Sequence, residues 1–239
     1  MMNTEALLDL IEQLEQSMEI DITLEHGWSA AHSGPATSRA IVVLGATRSG
    51  TSAVAGVLHH MGCRMRGQKI AGPANPRGTF EDEEFLGIQL DREDCREADQ
   101  KSMLCYAQAI RNRNRRFAVW GVKEPRLAFI LEHLLPFFED VRFVFVVRDV
   151  AATKRSYDKW EKEVDAPPID EQIRELSRCV ELIDGQYDRI GVHYEKLLKD
   201  PRGVIGRLAQ FVYDGLDIMP TEWSILRAVR SIDPGMRHF

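Results

Sequence analysis

The residues best suited to chemistry form one short string, Gly45-Ala-Thr-Arg-Ser-Gly-Thr-Ser52. It follows a continuous apolar run, Ala40–Leu44, and leads into a helix-compatible stretch over 52–61, closed by Gly62. A loop of small residues between a strand and a helix turns several backbone N–H groups toward one point. The helix N-terminus adds a favourable dipole, so the chemistry this suits is phosphate binding. The frame is that of the nucleotide-binding pattern GxxxxGK[ST], except that Thr51 stands where the pattern has Lys. That Lys reaches the β- and γ-phosphates of a nucleoside triphosphate, and its absence argues against ATP or GTP hydrolysis. A cation stands three residues earlier instead, as Arg48. The competing reading is a strand-to-helix turn that binds nothing.

The string resembles the 5′-phosphosulfate loop of sulfotransferases that use 3′-phosphoadenosine 5′-phosphosulfate (PAPS). Many members carry Lys at the position of Arg48; the tyrosylprotein and many bacterial sulfotransferases carry Arg. Three further stretches resemble the family in the same order between Ile41 and Tyr213. Asn75-Pro-Arg-Gly-Thr-Phe-Glu-Asp82 resembles the NPxGxFED segment of a bacterial sulfotransferase-like group. Trp120-Gly-Val-Lys-Glu-Pro-Arg126 resembles that group's WGxKDPR, and Val192-His-Tyr-Glu-Lys-Leu-Leu-Lys-Asp-Pro201 resembles the family's YEDLLxDP. The resemblance implies PAPS as co-substrate, no metal, and a 5′-phosphate enclosed by Thr47, Arg48, Ser49, Gly50, Thr51 and Ser52.

PAPS carries a 3′-phosphate that ATP lacks and so needs a second anion site. Arg148 ends the apolar run Arg142–Val147, and Ser156 follows eight residues on, about two helical turns away. Ligands of open α/β sheets bind at the carboxyl ends of the strands. A strand, a tight turn and a helix bring a forked guanidinium and a hydroxyl to one phosphate. The pair resembles the family's 3′-phosphate motif. Singly, Arg148 reads as a surface ion-pair residue and Ser156 as an ordinary helical one. Asp149 has a rival reading as a metal ligand, weakened by the missing loop Lys. The C-terminal Asp233-Pro-Gly-Met-Arg-His-Phe239 lacks the Arg-Lys-Gly of the animal cytosolic enzymes, which leaves Arg230 and Arg237 as alternatives for a terminal clamp.

Sulfuryl transfer puts negative charge on the bridging oxygen, which preorganised cations and N–H groups stabilise. Arg48 takes that role as an electrostatic clamp, since Arg gives up no proton at neutral pH. For the base that accepts the acceptor's proton, Glu81 and Asp82 lead and Glu124 competes. Adjacent helical residues diverge by about 100°, so one of Glu81 and Asp82 enters the cleft. Lys123 beside Glu124 makes the latter a good salt-bridge partner, and Lys123 itself is implied, by resemblance, to meet the sulfonate or bridging oxygen. The run 81–84 also reads as a solvated helix start favoured by the dipole. His59 and His60 are assigned no role. Arg111, Arg113, Arg115 and Arg116 read as an exposed loop, with attraction of an anionic acceptor as the alternative. The four Trp residues are too scattered to form a stacking platform.

These groups must be positioned by an α/β fold. Strands are predicted at 40–44, 117–122, 142–147 and 190–193, alternating with helices at 52–61, 81–110, 125–138, 150–163, 170–185 and 202–213. This pattern makes a P-loop-type three-layer α/β/α sandwich with a central parallel sheet. An amphipathic helix over 5–19 and a linker make up residues 1–36, and residues 37–239 form one domain. That helix packs on the body, covers the cleft or joins two copies as a homodimer. At 239 residues, 44% hydrophobic and 28% charged, the composition is globular. Net charge is −6, which disfavours nucleic acid as partner. No apolar run reaches the roughly 18 residues of a membrane span, and the N-terminus has no signal-peptide pattern. Four cysteines without metal-ligand spacing imply reduced thiols and a cytoplasmic setting. The expected activity is PAPS-dependent transfer of a sulfuryl group to a hydroxyl or amine of a small-molecule, carbohydrate or lipid acceptor. The alternatives are an ATP-dependent phosphotransferase and a catalytically silent nucleotide-binding module.

Overall fold

The computed structural model describes residues 38–65, 78–86, 100–124, 126–160 and 167–232. The N-terminal helix and linker, most of the 67–80 loop, Cys95 and the C-terminal 233–239 lie outside the described residues. The strands are β1 (Arg39–Leu44), β2 (Arg64–Met65), β3 (Val119–Lys123), β4 (Asp140–Val147) and β5 (Arg189–His193). They form one five-stranded sheet of order β2-β3-β1-β4-β5, and every neighbouring pair is parallel. The helices are α1 (Thr51–His60), α2 (Glu83–Leu86), α3 (Gln100–Arg116), α4 (Leu127–Leu134), α5 (Val150–Trp160), α6 (Ile169–Ile183), α7 (Tyr194–Lys199), α8 (Pro201–Tyr213) and α9 (Glu222–Ser231).

Alternation explains why β1 reads as an unbroken apolar run. Successive side chains point to opposite faces, and helices cover both. Ala40, Val42 and Leu44 enter a core with residues of α3, α4 and α6. Ile41 and Val43 enter a second core with α1, α8 and α9. The sheet is thus the middle of three layers, as the strand and helix alternation predicts.

The structure departs from the sequence reading at several places. The two-residue β2 has too short a pattern to show periodicity. It pairs with β3 where Gly121 leaves room: a Cβ there would run into Met65 Sδ. Helices α7 and α9 were not anticipated. The predicted helix at 125–138 runs from Leu127 and closes in a 3₁₀ turn at Leu135–Phe137. The segment Arg111–Arg116, expected as an exposed loop, is the last part of α3. Arg113 is only 3% exposed and stacks over Phe85 and Trp120, 4.6 and 5.4 Å from their ring centroids. Cys63 and Cys179 are buried thiols, and burial pushes Cys179 up to about 12.

Candidate functional site

Strand order decides where the chemistry gathers. The chain leaves β1 toward β2 and β3 on one side and leaves β4 toward β5 on the other. The carboxyl ends of β1 and β4 therefore flank a topological switch point, where open α/β sheets bind ligands. The Gly45–Ser52 loop leaves β1 there, and Arg148 leaves β4.

The loop is held in a tight curl. A Cβ on Gly45 would lie 2.7 Å from Thr51 Cγ2, 2.8 Å from Ser49 Oγ and 2.9 Å from the Val146 carbonyl oxygen. Gly50 has φ +98° and caps α1; a Cβ there would enter the Tyr194 ring. Arg48 is also left-handed, at φ +70°, which is uncommon for a residue with a side chain. Its Nε donates to Ser156 Oγ at 3.2 Å, and Arg148 Nη1 donates to its carbonyl oxygen at 2.9 Å. Arg148 also lies 5.2 Å from the Tyr194 ring centroid. Arg48 therefore contacts both Ser156 and Arg148, the two residues that the sequence reading set in a second site apart from the loop. Burial, and then the facing charge of Arg148, hold the Arg48 guanidinium below the ordinary Arg range.

The N–H groups divide into two sets. Thr47 N–H donates to Gln172 Oε1 at 2.7 Å, and Ser49 N–H closes a turn onto the Ala46 carbonyl at 3.0 Å. Those two are committed to the fold, so Ser49 differs from the expectation that its N–H faces a phosphate. Thr51 and Ser52 open α1, and first-turn N–H groups have no intrahelical acceptor. The buried hydroxyl oxygens of Thr47 and Ser49 have no hydrogen-bond partner among the described residues. Orphaned hydroxyls, helix-start amides and two guanidiniums suit an oxygen-rich anion.

The three candidate carboxylates separate. Phe80 packs into the α1-side core and Phe85 into the α3-side core, so residues 80–85 cross between the two layers. Phe80 sits at φ +54° against α1, where Gly56 leaves space for its ring. Glu81 then reaches Lys123 Nζ at 2.5 Å, whereas Asp82 turns to Arg113 Nη1 at 2.5 Å. Glu124, the first residue after β3, instead pairs with Arg126 at 2.8 Å. The expected Lys123–Glu124 partnership is thus replaced by Lys123–Glu81. The Asp82 and Glu124 side chains are each 2% exposed, and Glu81 is 26% exposed. Lys123 pairs with Val43 in register, two residues before the Gly45–Ser52 loop begins.

Other candidates fall elsewhere. Asp149 accepts the Ala152 N–H at 2.7 Å as a cap of α5, and its own N–H donates to Glu195. Among the described residues no cluster of His, Cys, Asp and Glu could hold a metal ion. His59 and His60 lie on the last turn of α1, and burial holds both below the ordinary imidazole range. Arg230 lies 5.9 Å from the Trp223 ring centroid, and Arg237 is outside the described residues. Gln172 was missed by the sequence reading, and no local pattern marks it. No described helix is long and apolar enough to cross a membrane.

No curated protein sequence matches the chain. Among solved structures, the sulfotransferase domain from the curacin biosynthetic pathway is similar in fold, with TM-score 0.53 and 14% identity over 83% of this chain and 85% of that one. The sulfotransferase domain of the Synechococcus PCC 7002 olefin synthase matches with TM-score 0.48 and 17% identity over 88% and 86% of the two chains. Sulfotransferase STF1 from Mycobacterium tuberculosis H37Rv matches with TM-score 0.49 and 16% identity over 81% and 71%. The model of the sulfotransferase family matches residues 40–217, from β1 through the Gly45–Ser52 loop and Arg148 to just past α8. On that match, the chain belongs to the sulfotransferase family.

Proposed function

We propose that the protein transfers a sulfuryl group from PAPS to a hydroxyl or amine of a small-molecule acceptor. The observation that carries this reading is the joining of Arg48, Arg148 and Ser156 at the switch point. Two guanidiniums beside a helix start suit a nucleotide with two separate phosphate groups. In this reading the N–H groups of Gly50, Thr51 and Ser52, the hydroxyls of Thr47 and Ser49, and Arg48 hold the 5′ end. Arg148 and Ser156 hold the 3′-phosphate. The acceptor oxygen attacks sulfur and gives its proton to Glu81. The bond from sulfur to the phosphate oxygen breaks, and adenosine 3′,5′-bisphosphate leaves. Arg48 and the α1 amides offset the charge that builds on the departing oxygen. Glu81 is preferred over Asp82 and Glu124 because those two are buried against arginines. In this reading Lys123 orients Glu81 and also meets the sulfonate.

The donor assignment is tested by calorimetry with adenosine 3′,5′-bisphosphate, AMP and Mg·ATP. The bisphosphate is expected to bind tightest. Arg148→Ala should weaken it by roughly 10- to 150-fold, the equivalent of about 1.5–3 kcal/mol for a charge-assisted contact, and weaken AMP by clearly less. Binding of Mg·ATP as tight as the bisphosphate, and indifferent to Arg148, would favour a phosphotransferase. For the base, Glu81→Gln is expected to lower the turnover number by about 10²–10⁴-fold while bisphosphate affinity is kept. Unchanged turnover in Glu81→Gln would pass the role to another group.

A further inference from the structure

The geometry points to Gln172 as a positioning residue that holds the phosphate loop in the shape that presents Arg48; this rests on the donor reading above. Gln172 lies in the first turn of α6, is 3% exposed and uses both ends of its carboxamide. Oε1 accepts the Thr47 N–H at 2.7 Å, and Nε2 donates to the Pro167 carbonyl oxygen at 2.5 Å. A carboxamide combines an acceptor and a donor in one planar group that stays uncharged at every working pH. Ala46 packs beside it against Tyr157 and Ile169, so the loop is fastened to α5 and α6 next to Arg48.

Arg48 needs such fastening. A left-handed backbone at a residue with a Cβ persists only where its surroundings over-determine it. Two restraints bracket it: Gln172 holds the N–H of Thr47 before it, and Arg148 holds its own carbonyl oxygen. Arg148 is also a ligand-binding group, and a 3′-phosphate draws on its guanidinium. Gln172 has no such second task, so it keeps the loop in place when nucleotide is bound. It touches neither phosphate and acts only through the loop.

The test compares adenosine 3′,5′-bisphosphate with adenosine 3′-monophosphate on the full chain by calorimetry. In Gln172→Leu the affinity that the 5′-phosphate adds is expected to fall by about tenfold or more, since the Thr47 N–H loses its partner. Binding of the 3′-monophosphate should stay within about twofold. Arg148→Ala removes both a 3′-phosphate ligand and a restraint on the Arg48 carbonyl, so it should weaken the 3′-monophosphate as well as the bisphosphate. Gln172→Glu supplies a second readout that a purely structural role would not move. An ionised Glu accepts from Thr47 but faces the Pro167 oxygen without a donor, whereas a protonated one both accepts and donates. Its bisphosphate affinity relative to wild type should therefore recover as pH falls, and this variant also serves if Gln172→Leu fails to fold. Equal losses for both nucleotides, or no loss, overturn the positioning role. A wild type that binds neither nucleotide overturns the donor reading and the proposal with it, and is distinguishable because no variant is needed to see it.

Discussion

Arg48→Ala is expected to slow release of adenosine 3′,5′-bisphosphate from PAPS by about 10²–10³-fold, the usual loss when one preorganised donor to a developing oxyanion is removed. The rate is read with any acceptor the wild type uses, or with water. In the proposed site the Arg48 side chain bridges to Ser156 through Nε, while its backbone carbonyl oxygen accepts from Arg148. Arg48→Lys should restore part of the rate, because the charge returns without the planar fork. Arg48→Gly adds a control. The native φ of +70° suits glycine, so this variant should melt near or above the wild type while remaining as slow as Arg48→Ala. An intact fold with a lost rate separates strain held for function from a structural defect. A rate within threefold of wild type in Arg48→Ala would remove Arg48 from the transfer step.

Arg113→Met is expected to destabilise the fold by about 3–5 kcal/mol, measured by urea unfolding, because it strands a buried carboxylate. Asp82 is 1% exposed and has Arg113 Nη1 at 2.5 Å; Arg113 Nη2 also reaches Glu84 at 2.8 Å. The Arg113 guanidinium lies over the Phe85 and Trp120 rings, so Met keeps much of the packing and isolates the charge effect. Adding Asp82→Asn should recover a large part of the loss, since the penalty is the unpaired charge rather than the missing bond. The consequence reaches the site: Asp82 anchors the crossing whose previous residue is Glu81. A single-variant loss below about 1 kcal/mol would show that water or another cation compensates Asp82.

Much of this protein is legible in the string of residues because its signals are local. A strand buried on both faces writes itself as Ala40–Leu44 and as Phe143–Val146. A strand-to-helix loop writes itself as Gly45–Ser52, and the spacing from Arg148 to Ser156 spans one turn and the start of one helix. Each feature is completed within a few residues, so composition and periodicity suffice to read it. The charge partners are not of this kind. Lys123 could have paired with its neighbour Glu124, yet it takes Glu81, which is 42 residues away. Arg113 sits in what reads as a basic surface run, and only the arrival of Asp82 and Phe85 makes it interior. Gln172 is 125 residues from Thr47 and carries no mark of its role. A β-strand of two residues is likewise set by the neighbour it pairs with rather than by its own pattern. Local sequence therefore determined the layers, the loop and the two arginines. Tertiary packing alone decided which acid faces which base, because long-range proximity and desolvation select among charges that look equivalent along the chain.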